Sequence, residues 1–205
     1  VMAVAFSGDF EIAGWSPKKA PFRDILLADT AARQDLVMPD SVAIPEKEIP
    51  VDSAAQSIFI FGDSMTLNLA LRLGAYADRN GHTVNAVNWD SSNTKIWAQS
   101  DTLVYFIRKF RPTQIFISLG SNELYIKNHL SRKQYIEKIL EMIGDIPYVW
   151  IGPPNWQEDT GMNAVLANTT RPGSFFLSEG IELARKRDHI HPTRQASALW
   201  VDSIM

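Results

Sequence analysis

The stretch that decides the fold is Ser57-Ile58-Phe59-Ile60-Phe61-Gly62-Asp63-Ser64-Met65. Its first part is a short apolar run rich in aromatic and β-branched residues, which is typical of a strand buried on both faces of a sheet. Apolar residues at helical spacing follow over 67–76, and Asn80-Gly81 is a typical helix stop. The polar residues after the strand are therefore expected at its carboxyl end, where open α/β sheets bind their ligands.

The same alternation of short apolar runs and helical patterns continues to the end of the chain. Further strands are predicted over 83–87, 114–119 and 148–151, and further helices over 102–110, 131–143 and 194–204. Ser131 and Gln134 are expected to form a capping box for the helix that begins there. Strands that alternate with helices indicate βαβ units, so we predict one α/β domain with a parallel sheet over residues 57–205.

Residues 1–56 are interpreted as an irregular arm. They hold five of the 11 prolines of the chain and show no sustained helical or strand period. Bulky apolar residues such as Trp15 and Phe22 predict that the arm packs on the main domain. The apolar start Val1–Phe6 lacks a basic region, so a signal remnant, a clipped end and a strand all stay open for it.

Composition excludes several classes of protein. Twenty Lys and Arg stand against 23 Asp and Glu in 205 residues, so the formal net charge is −3 and we expect no nucleic-acid partner. No apolar run approaches the roughly 20 residues that cross a bilayer, so no membrane span is predicted. Cysteine is absent, which excludes disulfides, thiolate metal sites and a cysteine nucleophile.

Ser64 is the first candidate functional residue, because it lies where the first strand turns into a helix. Gly62 permits a tight turn there, and the start of the helix offers backbone N–H groups to developing negative charge. One alternative is an ordinary Asp-Ser helix cap. Another is a phosphohydrolase-type Asp63 nucleophile, but Phe61 and Met65 occupy the two places where its second carboxylate is expected.

Asp188 and His191 are the second candidates, three residues apart in a loop just before the last helix. A serine hydroxyl is a poor nucleophile until a base removes its proton, and a histidine base works best when a carboxylate fixes its tautomer. The loop holds both groups. The alternative is a solvated loop in which His189 and His191 form a weak metal site.

Asn122 is the third candidate, directly after the strand over 114–119. Its amide can donate to an oxyanion, although an Asx turn that ends the strand is the alternative. Because the carboxyl ends of parallel strands meet at one edge of a sheet, the three candidates together predict a single site with Ser64 at its centre.

Three segments together resemble the SGNH/GDSL hydrolase family over residues 57 to 205. Gly62-Asp63-Ser64 matches the first sequence block of that family, Gly120-Ser121-Asn122-Glu123 the third, and Asp188-x-x-His191-Pro192 the fifth. The resemblance implies a flavodoxin-like three-layer sandwich with a central parallel sheet. It implies no cofactor and no metal.

The resemblance also implies a role for each site residue. Ser64 would be the nucleophile, His191 the general base and Asp188 the carboxylate that orients it. Asn122 and the backbone N–H of Ser64 would donate hydrogen bonds to the oxyanion.

The second block is where the sequence departs from the family. Asp90-Ser91-Ser92-Asn93-Thr94 occupies its place, and Ser92 stands where the family has a glycine whose N–H completes the oxyanion hole. A backbone donor does not require glycine, so Ser92 is expected to supply its own N–H. Trp89, Trp97 and Trp156 are expected near the cleft, where they either bind sugar faces or pack in its wall.

The expected function is serine-dependent hydrolysis of an O-acyl ester, acetyl above all, through an acyl-enzyme on a carbohydrate or small ester. Serine in the second block is similar to members that act on acyl groups of bacterial surface polysaccharides, so we expect an exported protein, with a cytoplasmic one as the alternative. An O-acyltransferase acting on such a polysaccharide and a lipid or thioester hydrolase are the alternatives within the family. A catalytically idle carbohydrate-binding module is the alternative from another class.

Overall fold

The structure is a computed structural model that describes residues 54–205. The arm predicted over residues 1–56, with its packing on the main domain, lies outside the described residues but for its last three positions. The strands are β1 (Ser57–Gly62), β2 (Thr83–Asn88), β3 (Gln114–Ser118), β4 (Tyr148–Ile151) and β5 (Phe175–Phe176). The helices are α1 (Thr66–Asn80), α2 (Thr94–Gln99), α3 (Thr102–Phe110), α4 (Leu130–Ile143), α5 (Met162–Thr169) and α6 (Arg194–Ile204).

The five strands form one parallel sheet in the order β2-β1-β3-β4-β5. After β1 the chain first builds β2 on one side and then crosses to build β3 on the other, so a topological switch point lies between β1 and β3. The register pairs Gly62 with Asn88 on one side and with Ser118 on the other. The loops that follow β1, β2 and β3 therefore leave the sheet at the same level.

Helices cover both faces of the sheet because the side chains of β1 alternate between them. Phe59 and Phe61 are wholly buried against α2, α3, α4 and α5, while Ile58 and Ile60 are buried against α1 and α6. Each such side chain contributes about 1.5–3 kcal/mol when it leaves water. The expected three-layer α/β sandwich with a central parallel sheet is confirmed.

Some short elements differ from the prediction. The sequence did not indicate α2, α5 or β5, which have six, eight and two residues. The predicted capping box was wrong, because α4 begins at Leu130 and Ser131 lies inside the helix. The Ser131 hydroxyl donates to the Asn128 carbonyl at 2.6 Å, and the Gln134 amide donates to the Ser131 carbonyl at 3.1 Å. None of the helices within residues 54–205 has the length and apolar character that crossing a bilayer requires.

Candidate active site

Ser64, His191 and Asp188 form a chain of hydrogen bonds at the carboxyl edge of the sheet. Nε2 of His191 lies 2.8 Å from Ser64 Oγ, and Nδ1 of the same ring lies 2.9 Å from Asp188 Oδ2. Ser64 and His191 are half-buried, and Asp188 is exposed. When Nδ1–H donates to the carboxylate, Nε2 is free to accept the serine proton. The arrangement can therefore activate a hydroxyl nucleophile.

The turn after β1 holds Ser64 in place through its main chain. The Asp63 N–H donates to the Ser118 carbonyl at 3.0 Å, and the Met65 N–H donates to Asp63 Oδ1 at 3.0 Å. Gly62 is required here, because a Cβ on it would lie 1.9 Å from the Ser118 carbonyl oxygen. Within the described part of the chain no residue accepts the Ser64 N–H. This donor is available to a ligand beside the hydroxyl.

A hairpin over residues 184–193 presents His191 and Asp188. The Lys186 N–H donates to the His191 carbonyl at 2.8 Å, and Asp188 Oδ1 accepts the N–H groups of Ile190 and His191 at 2.9 Å each. The His191 N–H, the His191 ring and the Ile190 N–H hold the pKa of Asp188 well below its ordinary value of 3.8. The carboxylate is therefore charged throughout the mildly acidic and neutral range.

Arg185 fastens this hairpin to the loop after β4. Its guanidinium donates to the carbonyls of Pro154 at 3.0 Å and Asn155 at 3.1 Å, and also to the carbonyl of Ile190 within the hairpin. Desolvation lowers the pKa of Arg185, opposed by the negative charge of Asp188. Nothing in the sequence points to Arg185, because a single arginine in an irregular loop carries no periodic or motif signal.

Asn122 and Ser92 contact each other at the same edge of the sheet. Asn122 Nδ2 donates to the Ser92 carbonyl at 2.9 Å, and an amide nitrogen carries a second hydrogen that can point elsewhere. The Ser92 N–H, however, donates to the Trp89 carbonyl at 3.1 Å. The expectation that Ser92 offers its backbone N–H to an oxyanion is therefore corrected. The physical reason is a tight turn, with Ser91 at a φ of 58°, that uses this donor.

Two buried carboxyl groups lie on these loops. Glu123 accepts the Thr94 N–H at 2.9 Å and the Thr94 hydroxyl at 2.7 Å, and lies 3.1 Å from Arg132 Nε. Burial nevertheless raises the pKa of Glu123. Burial also raises the pKa of Asp63 to about 7, opposed by the Met65 N–H and assisted by the charge of Glu123. Asp63 is wholly buried, so it does not have the exposure of a phosphohydrolase nucleophile.

Comparison with solved structures identifies the architecture. TesA superimposes with a TM-score of 0.55 at 16% identity, covering 72% of this chain and 94% of its own. The C-terminal catalytic domain of the Streptococcus pneumoniae peptidoglycan O-acetyltransferase A (OatA), with a methylsulfonyl adduct, gives 0.52 at 17%, covering 73% and 90%. LAE5, an alpha/beta hydrolase enzyme from the metagenome of Lake Arreo, Spain, gives 0.55 at 12%, covering 74% and 95%. This is an SGNH/GDSL-like fold.

The expected resemblance is thus confirmed at the level of the fold, since identities of 12–17% carry no more than that. No protein-family model matches the sequence, and no curated protein matches it either.

The three tryptophans expected near the cleft differ in exposure. Trp97 is wholly buried, and its Nε1 donates to the Ser92 hydroxyl at 2.9 Å. Trp156 is half-buried, and its Nε1 donates to the Ser121 carbonyl at 2.9 Å. Trp89, just after β2, is 37% exposed. Of the three, Trp97 therefore packs in the wall, and Trp89 has the most open ring.

The alternative, a weak metal site formed by His189 and His191, gains no further ligand within the described residues. His189 is exposed, with a φ of 58°, and His191 is engaged by Asp188 and Ser64. Across residues 54–205 no group of three or more His, Asp or Glu side chains is placed to hold a metal ion.

Proposed function

We propose that the protein is a serine-dependent O-acyl esterase, with acetyl as the first acyl group to test, that works through an acyl-enzyme on a carbohydrate or other small ester. The observation that carries the proposal is the hydrogen-bonded chain from Ser64 through His191 to Asp188. An idle carbohydrate-binding module would have no use for a serine hydroxyl 2.8 Å from a histidine that a carboxylate orients. A polysaccharide substrate would meet the protein outside the cytoplasm, so export is part of the proposal.

In the first half-reaction Ser64 Oγ attacks the acyl carbonyl carbon while His191 Nε2 takes the hydroxyl proton. Asp188 stabilises the imidazolium that forms, because its carboxylate remains ionised next to Nδ1. The tetrahedral intermediate then collapses. His191 returns the proton to the leaving alcohol oxygen, and the acyl group stays on Ser64 Oγ.

The negative oxygen of the intermediate needs fixed donors. We assign the Ser64 N–H, which has no acceptor within the described residues, and the second N–H of Asn122 Nδ2 to this task. The Ser92 N–H has no part in this proposal, since Trp89 already accepts it. Removing one donor of this kind typically costs about 10²–10³-fold in kcat.

In the second half-reaction His191 Nε2 deprotonates the molecule that attacks the acyl carbon. When the second tetrahedral intermediate collapses, the bond from that carbon to Ser64 Oγ breaks, and His191 returns the proton to Ser64 Oγ. Water completes hydrolysis, whereas a sugar hydroxyl completes O-acyl transfer with the same atoms and the same proton path. The fold shared with a peptidoglycan O-acetyltransferase domain supports transfer as a second candidate. Thioester or lipid hydrolysis would use the same first half-reaction with a different leaving group.

The test is turnover of p-nitrophenyl acetate with and without a sugar acceptor. We expect Ser64→Ala to lower kcat by at least about 10³-fold with the fold intact by circular dichroism. Ser203→Ala, an exposed serine on α6, is the matched control and should retain activity. Product analysis with the acceptor present separates hydrolysis from transfer. Turnover by Ser64→Ala at the rate of the unaltered protein would refute the proposal.

A covalent probe gives a second measurement. Methanesulfonyl fluoride should leave a methylsulfonyl group on Ser64 Oγ with loss of fluoride, as the adduct of the OatA domain suggests. The adduct should be absent by intact-protein mass spectrometry in Ser64→Ala. Labelling at another residue with equal efficiency would contradict the assignment of the nucleophile.

A further inference from the structure

Trp97 is a buried residue that has no role in the proposed mechanism. Its side chain is wholly buried, with the ring centroid 4.7 Å from that of Phe61 and 5.6 Å from that of Trp89. Phe61 belongs to β1, which ends at the turn of Ser64, and Trp89 follows β2 directly. The indole is therefore held between the strand that leads into the Ser64 turn and the loop that carries Ser92.

The indole N–H of Trp97 donates to Ser92, the residue that stands where the SGNH/GDSL family has a glycine. Nε1 donates to Ser92 Oγ at 2.9 Å, and the same hydroxyl lies 3.5 Å from the Gly62 carbonyl oxygen. Ser92 is wholly buried. A buried indole N–H needs a partner, and a glycine at position 92 could not accept this bond. Trp97 and Ser92 therefore form a buried hydrogen-bonded pair.

Ser92 in turn contacts Asn122, the candidate oxyanion donor. Its carbonyl accepts Asn122 Nδ2 at 2.9 Å, and its N–H is held by the Trp89 carbonyl at 3.1 Å. Because an amide group is planar, fixing one N–H of Asn122 also sets the direction of the other. Ser92 is thus held at three points: its main chain through the N–H and the carbonyl, and its side chain through the hydroxyl.

We propose that Trp97 is a positioning residue: its indole N–H fixes Ser92, and Ser92 in turn aims the Asn122 amide at the reacting acyl oxygen. The catalytic meaning of this link rests on the proposed function, whereas the link from Trp97 to Asn122 does not. A purely structural tryptophan would need only its ring. Trp97→Phe keeps an aromatic ring at this place, removes the N–H and leaves a cavity, and a matched tryptophan elsewhere in the core controls for that cavity. The hydrogen bond is therefore the part to test.

The experiment compares Trp97→Phe, Asn122→Ala and the double variant on p-nitrophenyl acetate. Trp97→Phe should lower kcat about tenfold with KM within about twofold, a part of the 10²–10³-fold that losing a donor costs. In the Asn122→Ala background the same substitution should change kcat by less than about twofold, because the aimed group is already gone. An equal loss in both backgrounds would show general loosening and overturn the proposal, as would an unchanged kcat in Trp97→Phe.

The chain offers a matched control on the other face of the sheet. Trp200 Nε1 donates to Ser178 Oγ at 2.8 Å, and both residues are wholly or almost wholly buried. Trp200→Phe removes the same kind of bond and should lower the urea midpoint about as much as Trp97→Phe, with kcat within about twofold of the unaltered protein. A tenfold lower kcat in Trp200→Phe would overturn the proposal.

A spectroscopic readout keeps the inference separate from the proposed function. The side-chain amide signals of Asn122 in a ¹⁵N–¹H spectrum are assigned by their loss in Asn122→Ala. Trp97→Phe should shift them, and Trp200→Phe should not. Unshifted signals in Trp97→Phe would overturn the inference whatever the activity is. Ester turnover that is absent, or that does not depend on Ser64, would instead overturn the proposed function. The Asn122 signals would still test the link from Trp97 through Ser92 to Asn122.

Discussion

The buried carboxyl of Asp63 is expected to make the stability of the fold depend on pH. Burial, opposed by the Met65 N–H, raises its pKa from the ordinary value of 3.8 to about 7. Between these two values the unfolded chain has lost the proton while the folded chain retains it. The contribution of the protonated group to stability is therefore complete below pH 3.8 and is lost as the pH rises through about 7.

The magnitude follows from the separation of the two pKa values. Each pKa unit corresponds to about 1.36 kcal/mol, so a separation of about three units predicts a total loss of about 4 kcal/mol. About 2–3 kcal/mol of this loss falls between pH 5 and pH 8, because the unfolded carboxyl is already ionised at pH 5. Asp63→Asn keeps an oxygen that can accept the Met65 N–H and cannot ionise, so it should lack this dependence.

Urea unfolding of both proteins at pH 5 and pH 8 measures the effect. The free energy of unfolding of Asp63→Asn, relative to that of the unaltered protein, should rise by about 2–3 kcal/mol between the two pH values. Most other titrating groups are common to both proteins and cancel. The charges of Glu123 and Asp90 also raise the pKa of Asp63, so Glu123→Gln should reduce the effect. A relative change below about 0.5 kcal/mol would refute the reasoning.

Three further predictions concern the site and the turns around it. His191→Ala should lower kcat for p-nitrophenyl acetate by at least about 10³-fold and His189→Ala by less than about twofold, because only His191 reaches the serine hydroxyl; similar losses would contradict this. Arg185→Ala should release the hairpin that carries His191 and lower kcat about tenfold, and added guanidinium should restore part of the activity. If sodium chloride restores the activity equally well, the Arg185 guanidinium does not hold the hairpin through these hydrogen bonds. Gly62→Ala should lower the free energy of unfolding by at least about 3 kcal/mol, because its Cβ would collide with the Ser118 carbonyl; an unchanged urea midpoint would contradict the close approach.

The hydrogen bonds of Ser92, in the second sequence block, differ from those expected from the sequence. From the sequence, Ser92 was expected to replace a glycine by offering the same backbone N–H. In the structure that N–H closes a turn, and the side chain, which a glycine lacks, accepts the indole N–H of Trp97. The residue therefore acts on the site through Asn122 in our proposal, and not by touching the oxyanion.

The sequence by itself determined the parallel α/β architecture and the edge at which the site lies. The apolar run ending in Gly62-Asp63-Ser64 predicts a buried strand followed by a helix, and the repeated pattern predicts a parallel sheet. Strand direction then brings the loops after β1 and β3 to one edge. The spacing of Asp188 and His191 is local, so it could be read without a fold. Their contact with Ser64 could only be expected by analogy.

Only the tertiary structure decided which donors and acceptors meet. Arg185 contacts carbonyls about 30 positions away, and Asn122 contacts the carbonyl of a residue 30 positions away, so neither pairing leaves a local pattern. The raised pKa of Asp63 depends on its complete burial, which the surrounding loops create together. The six residues of α2 are too few to show a helical period, although the Asn93 side chain caps this helix by accepting the Ile96 N–H. Hydrophobic periodicity reports which face of an element is buried, whereas the partner of each polar group is chosen by distances that exist only after folding.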